Sequence, residues 1–322
     1  MANTTFSSPR ILTFGEAMAM LVANTPGDLA EVESFHRRLA GADNNVAIGL
    51  SRLGFHVGWL SRVGTDSQGR FIQKALKAEG IDDRYIHLDE HHPTGLMFKE
   101  RAENGADPRV EYFRRGSAAS HLSIEDAASI DFQSLTHLHA TGITPALSKS
   151  ALELTRHLMQ QARQSGASIS FDPNLRPSLW PSEAVMRDTL NELASLADWV
   201  LPGLSEGRLL TGCESPEAIA DFYLERGAKA VIIKLGPEGS YYRGTLGGSL
   251  ESINVPGQPV ANVVDTVGAG DGFAVGAISA LLDGLTARDA LKRGNLVGAQ
   301  AVQVVGDMEG LPTRDKLEQL EH

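Results

Sequence analysis

The sequence predicts an α/β fold in which a mainly parallel central sheet is covered by helices on both faces. Three observations carry this. Its strand-like runs are short and continuously apolar, as strands buried on both faces must be. Helical patterns stand between most of them, which is the rhythm of parallel crossover units. Two consecutive strand patterns, 94–101 and 109–114, have no helix between them and do not fit a parallel sheet.

The elements follow in order. Residues 11–15 form an apolar strand ending in Gly15. A helical pattern over 46–53 stops at Gly54, and a strand over 57–63 closes at Gly64. A helix over 71–78 closes at Gly80, since glycine supplies the left-handed residue that ends helices. The unpaired strands 94–101 and 109–114 flank a polar turn, 103–108. They form either an edge hairpin or a small β lid over a ligand cleft, joined by the stretch after Gly15; pattern alone allows both. Strands are then expected at 135–140, 168–171, 199–201 and 230–235, with helices at 149–164, 183–196 and 206–210. Turns at Gly247-Gly248 and Gly257-Gln258-Pro259 punctuate a strand-rich patch. From Asp265 onward a Gly-rich stretch opens a helix over 270–282, a second runs over 287–305, and a short polar helix ends the chain. No internal repeat, low-complexity tract or linker divides the 322 residues.

Composition limits the function classes. Lys+Arg is 29 against 40 Asp+Glu, a net charge of −11, which argues against a nucleic-acid surface or a basic membrane-surface helix. Aromatic residues are 6%, too few for a base-stacking platform. Apolar residues at 42% suffice for a sizeable core. The one cysteine, Cys213, excludes an intrachain disulfide and a cysteine-based zinc site; followed by Glu214, it is expected to be a structural thiol. The first ten residues contain no apolar signal core and no run approaches membrane-spanning length, so a cytoplasmic protein is expected. An uncovered strand edge invites pairing, so a homo-oligomer, dimeric or higher, is expected as well.

The stretch Asp265-Thr266-Val267-Gly268-Ala269-Gly270-Asp271-Gly272-Phe273 carries the chemistry. Its glycines allow a tight turn and a close ligand approach. The apolar pattern that starts at Phe273 makes the turn a helix N-terminus, where free N–H groups and the dipole form an anion site. Asp271 at its mouth either caps the helix or serves as a base beside a phosphate. No glycine is followed by lysine, so a Walker A loop is absent, and the dinucleotide fingerprint is not completed at position 273.

The 265–272 stretch resembles the second signature of the ribokinase-like (PfkB) carbohydrate kinases, and Gly41-Ala42-Asp43-Asn44-Asn45-Val46-Ala47 with Leu53-Gly54 is similar to the first. Order, spacing and α/β rhythm match over nearly the whole chain. The resemblance implies a ribokinase-like three-layer fold, one domain over 8–320, with lid segments at about 15–40 and 93–116 inserted. It implies ATP and Mg²⁺, and optionally a monovalent cation such as K⁺. Lys234-Leu235-Gly236-Pro237-Glu238-Gly239 looks like the family's strand and turn under ATP. Leu201 to Glu206 looks like its Asn-x-x-Glu element, with Gly203 replacing the Asn, which leaves Glu206 for a water-mediated magnesium role.

Within the family, Thr94-Gly95-Leu96, Tyr112 to Ala118, Phe171 to Arg176 and Gly306 to Gly310 look most like the branch that phosphorylates 2-keto-3-deoxy sugar acids such as 2-keto-3-deoxygluconate. That likeness assigns the sugar acid to Tyr112, Arg114, Arg176 and Asp307, with Gly41, Ala42 and Asn45 from the first signature and Met97 where relatives often carry Tyr. Forked guanidinium groups suit the carboxylate of such a substrate. Asp271 is the implied base, and Gly268, Ala269 and Gly270 the implied anion hole. Asn174, Lys234, Gly236, Gly239, Gly268, Gly270 and Asn295 are the implied nucleotide side. A lid would exclude the water that competes for the phosphoryl group.

Plainer readings stand beside these. Lys234 either snorkels to solvent or faces phosphates. Asn174 either closes a turn or meets nucleotide. Asn295 faces either the adenine end or solvent. Asp43 is either on the substrate side or a helix-start residue. His137 and His139 share one face of a strand but lack a nearby carboxylate; that pair and His91-His92 are expected to be structural, and Arg37-Arg38 to lie on a solvated face. Rival functions are a fructokinase or 2-keto-3-deoxygalactonate kinase of the same fold, a non-catalytic sugar-acid-binding module and, more remotely, a nicotinamide oxidoreductase.

Overall fold

The computed structural model describes residues 10–101 and 108–321. Thirteen strands are described: β1 (Ile11–Phe14), β2 (Met18–Ala23), β3 (Phe35–Ala40), β4 (Val57–Gly64), β5 (Ile86–Asp89), β6 (Leu96–Lys99), β7 (Val110–Phe113), β8 (His137–Thr141), β9 (Ser168–Asp172), β10 (Trp199–Val200), β11 (Ala230–Lys234), β12 (Ser240–Gly244) and β13 (Glu251–Val255). The helices are α1 (Ala42–Arg52), α2 (Ser67–Ala78), α3 (Thr144–Leu147), α4 (Lys149–Ser165), α5 (Glu183–Ala194), α6 (Leu204–Thr211), α7 (Pro216–Leu224), α8 (Ala269–Leu282), α9 (Ala287–Ala301) and α10 (Arg314–Glu321).

Nine strands form one sheet in the order β13-β12-β11-β10-β9-β8-β1-β4-β5. Every pair from β11 to β5 is parallel; only β12 and β13 run antiparallel, at one edge. Period-two alternation divides the strand residues between two cores. Leu12, Val231 and Ile233 pack under α4, α5, α6 and α7, whereas Ile11, Trp59 and Ile232 pack under α1, α2, α8 and α9. The result is three layers. Helix α8 is buried from Gly272 to Ala280 and packs most of its length on α9. That close packing accounts for its small residues: a Cβ on Gly276 would meet the Arg293 backbone, and one on Gly294 the Phe273 ring.

The strands without an intervening helix do not extend the edge of the main sheet. They form a separate four-stranded sheet, β3-β2-β6-β7, made of two antiparallel hairpins joined by the parallel pair β2/β6. Met18, Met20, Val22, Ala40 and Met97 form its own small core. The expected turn lies outside the described residues at positions 103–107.

Some boundaries and elements differ from expectation. Helix α1 begins at Ala42, before its apolar pattern, because Gly41 (φ 140°) turns the chain and the polar residues 43–45 are buried rather than solvated. Helix α9 ends at Ala301, before the partly exposed loop 302–305 that leads to Gly306. Strand β5 and helix α7 were not foreseen; β5 is four residues of mixed burial and gives almost no periodic signal.

Because the central strands are parallel, their carboxyl ends share one edge, and loops there converge on a crevice. Glu16 follows β1, Asp172 ends β9 and Lys234 ends β11; the start of α8 faces them.

Candidate active site

Gly268 opens α8 in the left-handed conformation (φ 84°), and Asp271 lies in the first turn. A Cβ at 268 would sit 2.5 Å from the carbonyl oxygen of Asp307, so glycine is required twice, by φ and by contact. The first α-helical bond is Gly272 N–H to the Gly268 carbonyl, at 2.8 Å. The N–H groups of residues 268–271 therefore precede the i→i−4 ladder, as an anion site needs. One is partly used: Ala269 N–H makes a long 3.4 Å bond to the Thr266 carbonyl.

Asp271 does not act as the helix cap. Its Oδ2 accepts from Asn45 Nδ2 at 2.8 Å and its Oδ1 from Asn174 Nδ2 at 3.4 Å. Burial pushes its pKa up, against the Asn45 bond and the fields of Lys234 and Arg176. Asn45 is supplied by the buried start of α1. Asn174 is held by the turn after β9, where its N–H bonds Asp172 Oδ1 at 3.2 Å and its backbone takes φ 38°, unlike any other non-glycine among the described residues. Such strain is tolerated where surrounding contacts fix the residue.

Lys234 does not snorkel away. Its Nζ lies 2.7 Å from Asp172 Oδ2, and a Cβ on Gly270 would be 3.6 Å from that ammonium. Burial pushes Asp172 up to about 6 despite Lys234. Burial works against the Lys234 charge too, but Asp172, Glu206 and Asp271 outweigh it and raise its pKa. Glu206 accepts from Gly203 N–H at 2.7 Å and Leu175 N–H at 2.8 Å, so it starts α6 and anchors the segment before Arg176.

Beside the anion loop lies a cavity of about 610 Å³ lined by Lys234, Gly236, Gly239, Ala269, Gly270, Phe273 and Asn295, among others. Asn295 is not on a solvated face. It is 8% exposed and donates to the carbonyls of Val255 (3.3 Å) and Pro256 (3.1 Å), tying α9 to the end of β13. Gly239 (φ 108°) lets the turn pass close to Val255 and Gly257.

The residues expected on the substrate side come from the start of α1, the small sheet and the turn after β9. Gly41 and Ala42 start α1 next to Asn45. Arg176 is half-buried and donates to the Leu175 carbonyl at 2.8 Å. Arg114 is buried and already paired: its Nη2 contacts Glu16, whose other oxygen accepts from Ser117 Oγ. Its Nε is buried without a partner. Tyr112 is half exposed, its ring centroid 5.8 Å from the Arg114 guanidinium carbon. Met97 is 3% exposed in the small-sheet core.

Asp307 is buried and bonded to Lys99 Nζ at 3.2 Å, and the same ammonium holds Asp265 Oδ2 at 2.6 Å. Burial pushes Asp307 up to about 6, opposed by Lys99. Glu16, Asp172, Lys99 and Asp265 were not picked out from sequence. For Lys99 a signal existed: period two puts it on the same side of β6 as Met97. Asp43 proves to be a buried helix-start residue, with Oδ1 unpartnered and its pKa pushed by burial up to about 7.

His137 and His139 are structural. They are buried, bonded to Ser168 and Ser170, and their pKa values fall by burial to about 3. Among the described residues no group of three or more His, Cys, Asp or Glu could hold a metal, and no helix is long and apolar enough to cross a membrane.

Comparison with known proteins agrees with this fold. Residues 8–314 match the model of the pfkB family carbohydrate kinases. A 2-dehydro-3-deoxygluconokinase of Bacillus subtilis is 55% identical over 308 residues, 95% of this chain and 93% of that one. A PfkB protein of Polaromonas superposes with a TM-score of 0.88 at 52% identity, covering 97% and 99% of the two chains. A fructokinase of Vibrio cholerae, solved with fructose, ADP and potassium, superposes with a TM-score of 0.83 at 26% identity, covering 98% and 100%.

Proposed function

Because this chain belongs to the pfkB family of carbohydrate kinases, we propose that it phosphorylates 2-keto-3-deoxygluconate at C6, giving 2-keto-3-deoxy-6-phosphogluconate and ADP. The observation that carries the reading is the Asp271 carboxylate, held between Asn45 and Asn174 one residue after Gly270, which lines the cavity. The 55% identity to a 2-dehydro-3-deoxygluconokinase supports the substrate.

Asp271 takes the proton of the C6 hydroxyl as that oxygen attacks the γ-phosphorus; the bond from phosphorus to the bridging oxygen breaks and ADP leaves. The N–H groups of residues 268–271 bind the charge that spreads over the transferring oxygens. Lys234 faces the phosphates from the end of β11, and Gly236, Gly239 and Asn295 shape the nucleotide wall. Asn174 spans both ligands. The all-oxygen pair Asp172 and Glu206, each with lone pairs left beside Lys234, suits a hydrated magnesium ion. Bound there, magnesium would neutralise phosphate charge.

Arg176 is the principal partner of the substrate carboxylate, and Arg114 adds its unpartnered Nε–H. Asn45, Gly41, Ala42, Tyr112 and Asp307 complete the sugar site. The charge that binds two anionic substrates is thus local, against a net −11. One observation favours a neutral hexose instead: Glu16 already matches the charge of Arg114. The fructokinase relative holds a potassium ion; room for one here depends on the carboxylates behind the anion loop. A second copy of the chain would cover the exposed Tyr112 and Phe113 at the β7 edge, making a dimer that light scattering would detect.

The test is product identity. With MgATP and 2-keto-3-deoxygluconate, phosphorus NMR is expected to show a monoester coupled to two methylene protons. A phosphate coupled to one proton, or none formed, refutes the C6 assignment.

A further inference from the structure

We propose that the Lys99 ammonium is a built-in monovalent cation behind the anion loop, so that phosphoryl transfer in this chain needs no potassium; the statement about turnover rests on the kinase reading. Lys99 ends β6 in the small sheet, and its side chain is 2% exposed. Its Nζ reaches Asp265 Oδ2 at 2.6 Å and Asp307 Oδ1 at 3.2 Å, partners 166 and 208 residues away.

Both carboxylates belong to the support of the anion loop. Asp265 Oδ1 accepts from Val267 N–H at 3.1 Å, and its Oδ2 lies 3.5 Å from Gly306 N–H. Asp265 thus joins the approach to Gly268 with the segment that carries Asp307, against whose carbonyl Gly268 packs. Two carboxylates 4% and 6% exposed repel each other and Asp271, and cannot all stay ionised without a cation. A potassium ion placed here would need the oxygens that Lys99 already occupies. An ammonium carried on a strand has three directed donors and does not dissociate. It also fastens the small sheet to the loop that binds phosphate, which makes Lys99 a positioning residue.

The test uses the full chain in chloride salts of potassium, sodium and tetramethylammonium at equal ionic strength. Turnover is expected to agree within about twofold across the three, below the range of a real coupling. The melting temperature is expected to differ by less than ~2 °C between potassium and sodium. Lys99→Ala should lose at least about tenfold in kcat/KM and regain part of it in ammonium or potassium but not in tetramethylammonium.

Potassium activation of the native chain beyond about twofold, or a larger potassium-specific rise in melting temperature, overturns the proposal. So does an alanine variant with native turnover, or one whose loss no cation repairs. If that variant does not fold, the native salt series decides. A native chain that transfers no phosphate but also shows no potassium-specific stabilisation defeats the kinase reading and leaves the occupied site standing.

Discussion

Asn45 donates its side-chain amide to the Asp271 carboxylate at 2.8 Å across 226 residues of sequence. The bond joins the starts of two helices, α1 and α8, which pack directly: a Cβ on Gly49 would collide with the Val275 side chain. The base is therefore aimed by a helix–helix contact as well as by its own loop. The Asn45 amide stabilises the ionised form that burial disfavours.

Asp271→Asn keeps the shape and removes the proton acceptor. Its melting curve and circular dichroism should match the native protein, and kcat should fall by at least about a hundredfold. Near-native turnover would assign the proton to another group.

Arg176→Ala should raise KM for the sugar acid by roughly ten- to a hundredfold, the worth of a charge-assisted bond, and KM for ATP far less. Steady-state kinetics in both substrates check this. A defect confined to ATP would move Arg176 to the nucleotide side.

The pH profile has a fixed sign. A base with a raised pKa is active when deprotonated, so kcat/KM should fall as pH drops through the Asp271 pKa. Asp172 and Asp307, both near 6, also protonate as pH falls and loosen Lys234 and Lys99. The acid limb of the rate profile should then be steeper than one group gives; a slope of one proton would separate these carboxylates from turnover.

Asp43 should cost stability at alkaline pH. Its folded pKa is about 7 against 3.8 unfolded, so the folded chain holds a proton that the unfolded chain releases. Stability should fall as pH rises from about 4 to about 7 and stay low above. Asp43→Asn should remove that dependence and gain on the order of 2–4 kcal/mol at pH 8, with little gain at pH 4. Urea unfolding at the two pH values measures it; equal gains would locate the effect elsewhere.

The parallel sheet was legible because strands buried on both faces have no polar alternation, and the anion loop because glycine spacing is local. Asp271 followed from that loop, whereas Asn45 and the phosphate side of Lys234 came from the resemblance of 41–47 and 234–239 to the family's segments. Long-range pairing was not legible. Nothing near Lys99 announces Asp265 or Asp307, and nothing near Arg114 announces Glu16, 98 residues earlier. Hairpin β2/β3 was indistinct because β3 sets His36 and Arg38 on the same face as Met18, Met20, Val22 and Ala40, so it lacks the apolar alternation that marks a half-buried strand. Asn295 looked as much solvated as buried, since its carbonyl partners come from a turn some 40 positions upstream.

The most direct measurement is ADP release across a panel of 2-keto-3-deoxygluconate, 2-keto-3-deoxygalactonate, gluconate, fructose and ribose, each with MgATP. Turnover of 2-keto-3-deoxygluconate should exceed that of the neutral sugars by at least ~100-fold in kcat/KM, because only an acid uses both arginines. A preference for fructose, or tight binding of the acid with no ADP formed, would contradict a sugar-acid kinase.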